Sequence, residues 1–337
     1  MKYQKSWGAF AAGTVLAGAT LVGMPSLHNF ATQGSEQLSF ANSYTLNHPH
    51  NACGTALVQQ DMNDADVQID TYPSSQLGGD TDRFTSMMNG DIDLDLQGSS
   101  ALASVHEPIG VLDMAYVFDD ADHLFRWFDS DASDEVISSF ENETGVKVLD
   151  IWYQGDRTFS ANQPIRQPAD LNGIRLRYPD SPAHLMSADA MGVEPVAVAF
   201  EEVYMALQQG IADGQENPIA FTAQNSLDEV VDYVSLSRHA VGSQLVIVAD
   251  ETWQRLSPEQ QEHLQTSVTQ TRSENRACAE AEEDEVLTRW AEQGSPTVIE
   301  DVDRQAFRDK ALKHLETNLS DGELETLRSI RSVADED

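Results

Sequence analysis

Arg157, Arg177 and Asn217 stand 20 and 40 residues apart and are of types suited to one task, holding a small anion. A guanidinium presents a planar fork that pairs a carboxylate through two parallel hydrogen bonds and stays charged when water is removed. An Asn amide adds a neutral donor that helps fill the remaining lone pairs. The blander reading, in which each arginine faces solvent at a strand edge, stands beside this one. Alternation along an extended segment places Arg175 on the same face as Arg177, so pattern alone does not choose between them.

Other chemistries find less support. His48-Pro49-His50 offers two imidazoles, but neither a third His nor a Cys pair follows at ligand spacing, which favours a plain loop. Asp91, Asp93 and Asp95 open like a calcium-binding loop, yet Leu96 stands where Gly is required and Leu102 where a bidentate Glu belongs. The acids Asp119, Asp120 and Asp122 read as a solvated face. No G-x-S-x-G, H-E-x-x-H, C-x-x-C, Walker A or G-x-G-x-x-G motif occurs, so no cofactor and no metal is expected. Catalytic triads need no local motif, which leaves a secreted hydrolase or lyase with an arginine-lined cleft as the alternative, along with a ligand-binding sensor.

Several elements must position these side chains. Residues 38–41 and 67–72 read as strands with a helix near residues 50–63 between them. Residues 83–89 suit a helix closed by Gly90, and residues 91–96 a further strand. This alternation predicts an α/β layered fold with largely parallel pairing. Residues 201–209 read as a short helix, with Glu201 and Glu202 at its positive N-terminus and Gly210 closing it. Asp213-Gly214 turns the chain into an extended piece ending at Asn217, whose backbone is stiffened by Pro218. From Pro258 to about Gln293 runs one long polar helix, ~50 Å at ~1.5 Å per residue.

Composition sets the setting. The 337 residues suffice for two lobes of ordinary domain size. Fifty-six acids against 20 bases give a net charge of −36. So large an excess repels itself at low salt, reads as a solvated surface for salt-rich surroundings, and argues against nucleic acid. Lys2 and Lys5 precede an uncharged 18-residue stretch from Trp7 to Met24, and the first acid is Glu36. That is the pattern of a secretory leader over residues 1–35, with cleavage between about residues 24 and 36. The alternative is an uncleaved anchor, for which 18 residues is marginal. Cys53 and Cys278, the only cysteines, could pair in an oxidising compartment or remain two buried thiols.

The stretch Phe200-Glu201-Glu202-Val203-Tyr204-Met205-Ala206-Leu207-Gln208-Gln209-Gly210-Ile211-Ala212-Asp213-Gly214-Gln215-Glu216-Asn217-Pro218 resembles the signature of solute-binding proteins of tripartite ATP-independent periplasmic (TRAP) transporters. Three further segments are similar to that family's motifs. They are Gly155-Asp156-Arg157, which looks like its "G-x-R" turn, the entry from Pro168 through Arg175-Leu176-Arg177-Tyr178-Pro179, and the loop Tyr72-Pro73-Ser74-Ser75-Gln76-Leu77-Gly78. Ala249 to Leu256 fits its late helical region. The likeness covers roughly residues 38 to 300.

The resemblance implies a two-lobed α/β periplasmic-binding-protein fold with a hinge, braced by the long helix. It implies lobe one from residues 36–154 plus 243–282, and lobe two from residues 155–242 plus 283–337 with the C-terminal helices. It implies that Arg177 and Asn217 hold the ligand's carboxylate, that Arg157 assists, and that Phe200 packs against the ligand. Asp180 departs from the amide common in some members; an acid there could accept from a ligand hydroxyl or amine, or pair with an arginine. Lobe one would complete the pocket from loops at strand ends, with candidates in Ser43 to Asn51 and in Gln97-Gly98-Ser99-Ser100; Asn51, Gln97 and Ser99 are singled out. The function implied is periplasmic capture of a small organic acid and its delivery to membrane permease subunits, with no catalysis.

Overall fold

Two strands of 16 and 17 residues organise the molecule: β4 (Val146–Ala161) and β8 (Tyr233–Ala249). The others are β1 (Glu36–Ala41), β2 (Val67–Tyr72), β3 (Leu94–Gln97), β5 (Arg175–Tyr178), β6 (Glu194–Ala197), β7 (Gly214–Pro218) and β9 (Thr297–Ile299). Among the described residues these nine strands join one sheet in the order β2-β1-β3-β8-β4-β7-β5-β6, with β9 beside β8. This computed structural model describes residues 36–198 and 202–334, so the leader proposed for residues 1–35 and Phe200 lie outside the described residues.

The sheet is mixed: most of its strand pairs are parallel, as expected, β9 beside β8 among them, but its centre is not. The flanks are parallel, β1 with β2 and β3, and β5 with β6 and β7. The middle is antiparallel, β8 pairing with β3 and β4, and β4 with β7. Both faces of the sheet are covered. Alternating residues of β8 point opposite ways, Leu245 and Ile247 into a core with Phe140 and Trp127, Val246 and Val248 into one with Phe40 and Trp152. Each such side chain contributes on the order of 1.5–3 kcal/mol by leaving water.

The long helix is Pro258–Gln293, as the sequence predicts. Its start is fixed by a reciprocal cap: Gln260 N–H donates to Ser257 Oγ, and Ser257 N–H to Gln260 Oε1. Its end is fixed by Gly294, whose φ of 70° lies in the left-handed region that favours glycine. Between them Leu264, Val268, Thr271, Asn275, Ala279, Glu283, Val286 and Trp290 form a buried stripe at three- and four-residue spacing. The helix packs along β4, where Trp152 donates to the Val268 carbonyl, and touches the helices Ala56–Met62 and Ile219–Gln224. A disulfide between Cys53 and Cys278, with Cα atoms 6.5 Å apart, ties it to the turn Asn51–Thr55. Three residues before Cys278, Asn275 donates to the Pro49 carbonyl and meets His50 Nδ1.

The acids at 119–122 are more than a solvated face. Asp119 pairs with Arg308 and Arg331, Asp120 caps the helix Ala121–Phe128 by accepting from His123 N–H, and Asp122 pairs with Arg276.

Candidate functional site

Three neighbouring strands carry the three anion-binding candidates. β5 lies beside β7 with Arg177 opposite Gln215, and β7 lies beside β4 with Pro218 opposite Arg157. Arg177, Asn217 and Arg157 therefore end near one another, and all three line a cavity of about 450 Å³. Asp180 lines it too, from the connection between β5 and the helix Pro182–Met191. Of the two arginines of β5, Arg177 lines the cavity and Arg175 does not. Arg175 turns to Asp213 at 2.7 Å and the Gly210 carbonyl at 2.9 Å, away from the cavity.

The segment Gly155-Asp156-Arg157, read from sequence as a turn, lies inside β4. There the register against β8 shifts at Tyr153/Gly155 and again at Arg157/Phe159. Gly155 has φ 114°, and a Cβ on its partner Gly242 would meet the Gly155 carbonyl at 2.5 Å. Glycine is required at this crossing. The irregularity lets Gln154, Arg157, Gly242 and Gln244 line the cavity from the two central strands.

Arg157 is held by Glu216, an acid of the stretch 200–218. Glu216 accepts from Arg157 Nε at 2.5 Å and from Nη2 at 2.7 Å. Nη2 also donates to Asn217 Oδ1 at 3.1 Å, and Asn217 Nδ2 donates to Gln215 Oε1. Behind Glu216, His239 approaches Oε2 at 3.3 Å, stacks on Phe159 and meets Ser237 through Nδ1. Burial alone would push the Glu216 carboxyl up. The Arg157 charge and the His239 hydrogen bond outweigh it and hold the group well below the usual range. Arg177 is buried, and its Nε donates to the Val198 carbonyl at 2.9 Å.

On the opposite side both loops named from sequence reach the cavity, through residues other than the three singled out. Ser43, Tyr44, Gly98 and Ser100 line the cavity, whereas Asn51, Gln97 and Ser99 do not. Asn51 is consumed in holding its own loop, donating to the Tyr44 and Thr45 carbonyls and exchanging hydrogen bonds with Asn42. Gln97 donates to the Asp80 carbonyl and to Asp95. Ser99 is buried at the start of the short helix Ser99–Leu102. Asp113, missed by the sequence reading, also lines the cavity; it ends a helical turn, Glu107–Asp113, that no apolar period announces. His48 and His50 pack beneath Tyr44, and no cluster that could hold a metal ion occurs among the described residues.

The family model for DctP, bacterial extracellular solute-binding protein family 7, matches residues 55–319. This chain belongs to that family. It is a solute-binding protein of the TRAP periplasmic type, a binding-protein family and not an enzyme family. It is 30% identical over 251 residues to the 2,3-diketo-L-gulonate-binding periplasmic protein YiaO of Escherichia coli, covering 74% of this chain and 76% of that one. It is 29% identical over 244 residues to the sialic acid-binding periplasmic protein SiaP of Vibrio cholerae, covering 72% and 76%. In fold it is similar to a TRAP periplasmic solute-binding protein from Roseobacter denitrificans crystallised with 3-deoxy-D-manno-oct-2-ulosonic acid. That match has a TM-score of 0.82 at 24% identity, over 89% of this chain and 100% of that chain.

Proposed function

We propose that this TRAP solute-binding protein captures a small organic acid in the cavity beside Arg157, Arg177 and Asn217 and hands it to membrane permease subunits. The observation that carries the reading is the convergence of those three side chains, from adjacent strands, on one cavity. Its volume of about 450 Å³ falls within the usual ~300–1,000 Å³ of small-molecule sites. Arg177 receives the carboxylate through its fork, Asn217 adds a neutral N–H, and Arg157 assists from the place in which Glu216 holds it. Phe200 packs against the ligand. That relatives are named for binding sialic acid and a diketogulonate supports an acid as the ligand class.

Residues 36–154 with 243–282 form one lobe and residues 155–242 with 283–337 the other, closing where β4 and β8 change register. Tyr44 and Asp113 from the first and Arg177 and Asn217 from the second all line the cavity, so a bound ligand touches both and favours the closed state. Residues 1–35 act as the export leader to the periplasm. Loss of Lys2 and Lys5 with it takes the charge from −36 to −38, suited to salt-rich surroundings.

The test is calorimetry at high salt on Arg177→Ala against acids that bind the unmodified protein. Loss of a buried charge partner costs ~2–5 kcal/mol, roughly 30-fold or more in affinity. Arg177→Lys fails too, because an ammonium cannot form the fork. Near-normal affinity in Arg177→Ala would remove the central assignment.

A further inference from the structure

Charge is spread unevenly over the cavity wall. Among the described residues it carries four carboxylates, Asp80, Asp82, Asp113 and Asp180, against two guanidiniums, Arg157 and Arg177. Arg157 is already matched by Glu216 at 2.5 and 2.7 Å, so that pair brings no net charge to an incoming ligand. His184 also lines the wall, but burial, and then the Arg157 charge, push its ring down to about 3, so it is neutral. Asp80 is held by Arg83 at 2.8 Å, yet Arg83 serves Asp95 at 3.0 Å as well, one charge shared by two acids. Asp82 and Asp180 are exposed and add negative field.

Asp113 decides the matter. It is only 8% exposed, and no cationic side chain among the described residues forms an ion pair with it. Its Oδ2 accepts the Ser100 backbone N–H at 2.8 Å. Burial pushes this carboxyl up, opposed by the Ser100 hydrogen bond and by the field of Arg157. The space beside it is kept open by Gly98, where a Cβ would lie 3.5 Å from Asp113 Oδ2 and 3.4 Å from Gln244 Nε2. A buried carboxylate needs a positive or strongly donating partner. A ligand with a carboxylate at both ends would set its second charge against these acids. A hydroxyl would satisfy a lone pair but leave the surplus charge. An ammonium or amidinium satisfies both.

We propose that the cavity selects a zwitterion, a small acid whose carboxylate meets Arg177 and whose ammonium or amidinium group lies against Asp113. This rests on the reading of Arg177 as the carboxylate anchor.

Three acids of one carbon skeleton separate the possibilities: 6-amino-6-deoxygluconate, gluconate and glucarate, ending in an ammonium, a hydroxyl and a second carboxylate. Calorimetry on the full protein at neutral pH and high salt should rank the amino acid about tenfold or more tighter than gluconate, with glucarate weakest. In Asp113→Asn the amide oxygen still accepts from Ser100 N–H, so the fold is kept, as an unchanged thermal melt would verify. That variant should bring the amino acid and gluconate within about threefold of each other. Gluconate or glucarate binding as tightly as the amino acid, no binding by any of the three, or a preference unaltered in Asp113→Asn each overturns the proposal. Tight anion binding that still depends on Arg177 would overturn it alone and leave the carboxylate site standing. Binding indifferent to Arg177→Ala would remove both.

Discussion

Two buried arginines flank the cavity, and they are used differently. Arg83 does not line it. Its Nε faces Asp95, Nη1 donates to Ser43 Oγ and the Gly78 carbonyl, and Nη2 reaches Asp80. Nearly every donor is turned to the protein, and the result is a joint between a strand, a helix and a cavity-lining loop. Arg157 gives Nε and Nη2 to Glu216 and Asn217, while Nη1 makes no hydrogen bond with the described residues and the side chain forms part of the wall. The same residue type serves as a rivet in one place and as an aimed donor in the other. What differs is how many acceptors surround it.

The largest effect expected from this contrast is on stability. Arg83→Met strands Asp95 and should lower the unfolding free energy by about 3–5 kcal/mol, measured by urea titration in molar salt. A loss below about 1 kcal/mol would mean that Arg83 is no rivet. Arg157→Lys keeps a charge opposite Glu216 but not the fork. It should cost only about 1–2 kcal/mol of stability while lowering ligand affinity about tenfold. Unchanged affinity would make Arg157 a second structural arginine and erase the distinction.

The carboxylates beneath the two arginines should respond to pH with opposite sign. Burial, only partly offset by Arg83, pushes Asp95 up to about 7. The folded state therefore binds this proton more tightly than the unfolded chain. Its contribution is full below about pH 4 and is lost as pH rises through about 7. Glu216, held low, contributes above the ordinary glutamate range and loses that contribution as pH falls. Asp95→Asn should accordingly gain on the unmodified protein as pH rises from about 5 to about 8, in parallel urea titrations. A gap that stays constant would show that Asp95 is ionised throughout. The smallest effect is reserved for Arg175→Ala, which breaks a partly exposed pair with Asp213 and should leave affinity within about twofold. A larger loss would mean that the wrong arginine of β5 has been assigned to the ligand.

Legibility in the sequence followed the range of the forces involved. The long helix was readable to the residue because its ends are local devices, a reciprocal Ser257–Gln260 cap and Gly294. β2 was readable because it has one face in and one out. β4 and β8 were invisible: buried on both faces, they show no alternation, and β4 is interrupted by Gly155 and charged residues that look like a turn. In the site, Arg157, Arg177 and Asn217 came from a motif. Asn51, Gln97 and Ser99 sit in the loops that reach the cavity without lining it, because a polar residue there can serve its own backbone as readily as a ligand. Glu216 and Asp113 matter through groups 59 residues and more away or through their burial, which no local pattern encodes.

The strand order has a consequence for how the chain can be made. β8 sits between β3 and β4, yet it follows both in the sequence. A nascent chain that ends before residue 233 has two strands flanking a vacant slot and no partner to join them. Each exposes backbone groups and apolar side chains that only the missing strand can cover. The disulfide partner Cys278 arrives later still, 225 residues after Cys53. Contacts so distant in sequence cannot form early. The two flanks of the sheet, each of which can pair within itself, are therefore joined into one globule only when the last third of the chain has emerged.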